Sequence, residues 1–167
     1  MNKMNFNLIL GVFALIAFLV LFGCNVAVGS ETDLSTGLNV SNSGLSFDDS
    51  YLTVDGVKIT SNKVDFGKSV KLVFTGLDGF KKVDGNIFLD ASMKVTSPSG
   101  ELIVDQTNMF SAYQTTGVNP SIIAKGLSLT FTTGAPMVSG ETYLWEAKVW
   151  DLKSDGMVNA TVSIVIN

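Results

Sequence analysis

From Phe47 onward, short segments in which apolar and polar residues alternate recur between turn signals, and no other feature limits the possible folds as much. Val70, Leu72 and Phe74 fall on one side of segment 69–75. Ile87, Leu89, Ala91, Met93 and Val95 do the same against Asp90, Ser92, Lys94 and Thr96. The pattern recurs at Leu127, Leu129 and Phe131, at Tyr143, Trp145, Ala147 and Val149, and at Val158, Ala160, Val162, Ile164 and Ile166. A period of two is that of a strand with one face turned inward and the other wet.

Turn signals separate these segments. Ser97-Pro98-Ser99-Gly100 reverses the chain before 101–104, and weaker strands at 51–54 and 57–60 join near Asp55-Gly56. Asp155-Gly156 suits positive backbone dihedrals between the last two strands. The connection 105–126 is longer than a hairpin loop, and a further strand is expected near 108–113. No long amphipathic helix is visible. About eight short strands of this kind predict an all-β fold, an antiparallel two-sheet sandwich over residues 47–167.

Gly140-Glu141-Thr142-Tyr143-Leu144-Trp145-Glu146-Ala147-Lys148-Val149-Trp150-Asp151 resembles the penultimate strand of extracellular immunoglobulin-like or fibronectin-type modules. There a Gly-x-x-Tyr lead-in opens an alternating strand that ends near Asp, and a final apolar strand completes the sheet. The resemblance implies an immunoglobulin-like sandwich without the paired cysteines of true immunoglobulin domains. A likeness of fold carries no ligand or activity with it.

The amino terminus has a different character. Lys3 precedes an uncharged run from Leu8 to Phe22, which is shorter than the roughly 20 apolar residues a spanning helix needs. This reads as a signal helix. Leu21, Phe22, Gly23 and Cys24 at its end resemble the bacterial lipobox, which implies diacylation of the Cys24 thiol, cleavage before Cys24 and acylation of the new amine. Ordinary cleavage after Ala27-Val28-Gly29, or an uncleaved anchor with an inert thiol, are the alternatives. On the lipoprotein reading, residues 1–23 are the signal peptide and 24–46 an anchored, flexible tether rich in Ser, Thr, Asn and Gly.

Composition narrows the function. All 11 basic residues are lysine, histidine is absent, and the formal net charge is −4. Without arginine there is no planar fork for phosphate, and an acidic surface repels nucleic acid, so no nucleic-acid partner is expected. Without histidine, a histidine-dependent triad or zinc site cannot be built. The single cysteine permits no internal disulfide.

Candidate sites are few. Asp78, Asp84, Asn86 and Asp90 place oxygens close together in sequence, but their spacing is not that of a calcium loop, and the Asp-Gly pairs read as turns. The glutamates at 101, 141 and 146 form no recognisable acid–base pair, and no motif frames a Ser-Lys nucleophile. No catalytic residue, metal or cofactor is therefore assigned. Asn39-Val40-Ser41 and Asn159-Ala160-Thr161 match the glycosylation sequon and are incidental on the lipoprotein reading.

Trp150 is the strongest binding candidate, because alternation sets it opposite Tyr143 and Trp145. It is either an exposed indole that stacks on a partner or a ring covered by the 105–126 connection. Phe110 and Tyr113 in that connection are the other candidates.

These readings lead to a non-catalytic lipoprotein of the bacterial cell envelope, held to a membrane through Cys24 and facing the periplasm or the exterior. It is expected to bind a protein or glycan through loops or a sheet edge. A structural or assembly subunit that pairs by edge-strand addition is the alternative, and a hydrolytic enzyme is the third reading.

Overall fold

A computed structural model describes residues 28–167, and the expectations for the signal peptide, the lipobox and Cys24 lie outside them. Eleven strands form two sheets: β1 (Val28–Asp33), β2 (Leu38–Ser43), β3 (Asp49–Val54), β4 (Val57–Lys58), β5 (Lys63–Val64), β6 (Ser69–Thr75), β7 (Leu89–Thr96), β8 (Leu102–Gln106), β9 (Leu127–Thr132), β10 (Thr142–Asp151) and β11 (Met157–Ile166). Two short helices, α1 (Ser111–Thr115) and α2 (Pro120–Lys125), lie between β8 and β9.

The larger sheet has the order β1-β2-β11-β10-β7-β8, with β5 added parallel to β11; the smaller sheet is β4-β3-β6-β9. All other pairings are antiparallel, so the chain is the two-sheet sandwich its alternation predicts. Setting β3-β6-β9 against β11-β10-β7-β8 reproduces the A-B-E and G-F-C-C′ strand orders of immunoglobulin domains.

Alternation builds the core directly. Tyr143, Trp145, Ala147 and Val149 of β10 face inward with Val158, Ala160, Val162, Ile164 and Ile166 of β11. From the other sheet come Leu52, Val70, Leu72, Phe74, Leu129 and Phe131. The Phe131 ring stands edge-on to Trp145 with centroids 4.7 Å apart. Each such buried aliphatic or aromatic side chain contributes about 1.5–3 kcal/mol. The Tyr143 hydroxyl accepts from the Val138 N–H at 2.8 Å and donates to Glu141 at 3.0 Å. This is the corner bond typical of such sandwiches. Burial is the main reason its phenol titrates above the ordinary range.

Three expectations need correction. A flexible tether over 24–46 does not survive for residues 28–46, because β1 and β2 form a hairpin that joins β11 and buries Leu38, Val40 and Leu45. Three apolar side chains suffice because β2 borrows an existing sheet edge and hydrogen-bonds along it. The strand expected near 108–113 is instead an irregular turn leading into α1. The β10–β11 reversal does not use positive dihedrals at Asp155-Gly156. Buried Asp151 shapes it, accepting from Lys153 N and Ser154 Oγ at 2.8 and 2.6 Å. Gly156 matters for a different reason, since a Cβ there would lie 2.9 Å from Leu45 Cδ2 and the leucine would have to shift. Asp55 and Gly56, by contrast, do adopt positive φ, 51° and 82°, at the β3–β4 turn.

Candidate functional site

Continuous register across the larger sheet aligns its outward side chains in rows. One row runs Asp105, Lys94, Glu146, Thr161, Asn39 and Thr32 over β8, β7, β10, β11, β2 and β1. The next holds Ser92, Lys148, Asn159, Ser41 and Ser30, and the third Asp90, Trp150, Met157, Ser43 and Val28. Neighbouring strands lie about 4.8 Å apart, so the first two rows present polar groups at regular steps, while the third is largely apolar and its Asp90 is buried.

The centre of this face is a shallow depression of about 210 Å³ lined by Ser92, Lys94, Glu146, Lys148, Asn159 and Thr161. Lys94 and Glu146 are direct cross-strand neighbours. Yet among the described residues the ion pairs are Lys58–Asp49 and Lys68–Asp55, and none joins Lys94 to Glu146. At the edge, Asn39 Nδ2 donates to Thr32 Oγ1 at 2.9 Å and stiffens the rim.

Trp150 is half-buried at one end of the face, with Lys148 Nζ 5.7 Å from its ring centroid. Its register partner Asp90 is buried. That carboxylate accepts from Ala91 N at 2.8 Å, Phe110 N at 3.0 Å and Gln114 Nε2 at 2.7 Å, which holds the α1 segment against β7. Phe110 and Tyr113 stack on one another with centroids 5.7 Å apart and planes at 16°. Strand register places Trp150, and the buried Asp90 holds the segment of Phe110 and Tyr113, at the same end of the sheet. The central polar rows were not singled out from sequence, because only long-range register brings them together.

Asp78, Asp84, Asn86 and Asp90 do not converge. The Asp78 backbone pairs with Ser46, Asp84 and Gly85 turn the chain between Val83 and Asn86, and Asp90 holds α1. Among the described residues no three acidic or sulfur ligands cluster, and no helix is long and apolar enough to cross a membrane.

No family of known sequence matches the chain, and no curated protein does. Among solved structures it is similar to the crystal structure of the C-terminal domain of wzt, with a TM-score of 0.47 and 8% identity over 87% of this chain and 80% of that one.

Proposed function

We propose that this protein is a non-catalytic, lipid-anchored domain of the bacterial envelope that binds a glycan on the outer face of its larger sheet. The observation that carries the reading is the depression where Lys94, Glu146, Lys148, Asn159 and Thr161 present donors and acceptors with no ion pair among them. Two lysines set against Glu146 and Asp105 give a face of balanced charge, which suits a hydroxyl-rich ligand better than a polyanion. The lipobox-like Leu21-Phe22-Gly23-Cys24 supports the anchor.

The test has two arms. Mass spectrometry of the mature amino terminus is expected to find acylated Cys24 in the wild type and none in Cys24→Ala. The mature protein is then titrated calorimetrically with neutral envelope polysaccharides and peptidoglycan fragments. Glu146→Ala and Asn159→Ala are expected to weaken binding by about tenfold each, roughly 1.4 kcal/mol. Binding unaffected by either substitution defeats the glycan site, and an unmodified Cys24 defeats the anchor.

A further inference from the structure

The point where the chain enters the sandwich determines which end of the domain meets the membrane. Three residues lie between Cys24 and Val28, and the four backbone steps across them span at most about 14 Å when fully extended, at roughly 3.6 Å per step. Val28 sits in the cross-strand row of Ser43, Met157 and Trp150, and β1 runs from there away toward Asp33. The link to Cys24 therefore departs from the end of the sheet that carries Trp150, with Val28 three strand spacings, about 14 Å, from that indole.

That end carries side chains suited to a lipid interface. Val28 is 75% exposed and Leu152 38%. Trp150, Phe110 and Tyr113 are half-buried, the last two packed against the edge of the core. Rings of this kind, apolar in body with a polar tip on Trp and Tyr, settle at the level of the headgroups. The connections at this end carry Lys81, Lys82, Lys125 and Lys153 against Asp48, Asp78, Asp84 and Asp155, so charge neither drives nor opposes approach to the bilayer.

We infer that the end of the sandwich marked by Trp150, Phe110, Tyr113 and Leu152 rests on the lipid surface that holds Cys24. This rests on the anchored reading given above. A link this short sets an effective concentration in the millimolar range, so weak interfacial contacts suffice to seat the domain. Its strands then stand away from the membrane, and the rows through Glu146 and Lys148 lie to one side, open to a partner.

The experiment uses the mature acylated protein in phosphatidylcholine vesicles containing lipids brominated near the headgroup. Trp145 is fully buried, so the fluorescence difference between wild type and Trp150→Phe reports Trp150. That difference signal is expected to fall about twofold with shallow bromines, and equally when phosphatidylglycerol replaces part of the lipid. Vesicle-bound, acylated protein whose Trp150 escapes bromine quenching overturns the inference. So does a Trp150 that aqueous acrylamide quenches until a polysaccharide is added, since the indole then faces a glycan. Protein that lacks the acyl group and does not float with vesicles fails the anchored reading instead, and the mass spectrum separates the two failures.

Discussion

The two hairpins that meet at β11 are built on opposite terms. β10 and β11 are ten residues each, pair in register from Thr142↔Val165 to Trp150↔Met157, and bury alternate residues along both strands. β1 and β2 are six residues each, and β1 buries none of its side chains, leaving Leu38 and Val40 of β2 to tie the pair to the core. The difference shows that a strand needs no apolar pattern of its own when a neighbouring strand supplies the register. It also places the least protected ladder of the larger sheet where the chain enters the domain.

Substitutions test how deep that asymmetry goes. Trp145→Ala is expected to cost about 3–5 kcal/mol, enough to unfold a domain of ordinary stability, as seen by the loss of near-ultraviolet circular dichroism. Leu38→Ala is expected to cost about 2–4 kcal/mol in urea denaturation. A value near zero would return residues 38–46 to the status of a tether and erase the second hairpin from the domain.

Between the hairpins, Gly156→Ala brings a Cβ against Leu45 and is expected to cost about 1–3 kcal/mol. Trimming the contact with Leu45→Val in the same chain should recover part of that loss. A strictly additive double mutant would show that the two sites do not communicate.

The smallest effect belongs to the β1–β2 turn. Hydrogen bonds from Ser35, first its hydroxyl and then its N–H, and from the Thr36 hydroxyl hold the Asp33 carboxyl below the usual carboxylate range. A depressed folded value means that the contribution is present above the unfolded pKa, near 3.9, and is lost as pH falls through the folded value. Asp33→Ala should cost under about 1 kcal/mol at neutral pH. Its amide shifts at Gly37 and Leu38 should converge on those of the wild type in acid, and a gap that persists at low pH would remove the carboxylate from the account.

The sequence and structure agree where each strand carries its own pattern. β6, β9, β10 and β11 announce themselves through alternation, which also sets Trp150 facing outward. The first hairpin was illegible because β1, with Gly29, Ser30, Glu31, Thr32 and Asp33, reads as linker until β2 is seen beside β11. The α1 segment was misread because Met109, Phe110 and Tyr113 look like strand residues. What bends the chain there is Asp90, about twenty positions earlier, accepting from Phe110 and Gln114. The polar rows demand five correct registers at once, and no local signal encodes them.

Because the chain enters at the tip of an edge strand, the direction of any pull on Val28 decides how firmly the domain holds. The bonds joining β1 to β2 lie across the strands. A load along the strand axis is shared by the whole ladder from Val28 to Asp33, whereas a sideways load opens the same bonds one after another like a zip. Drag on a domain tugged parallel to β1 is thus met by its strongest mechanical arrangement, and the same drag applied across the sheet by its weakest.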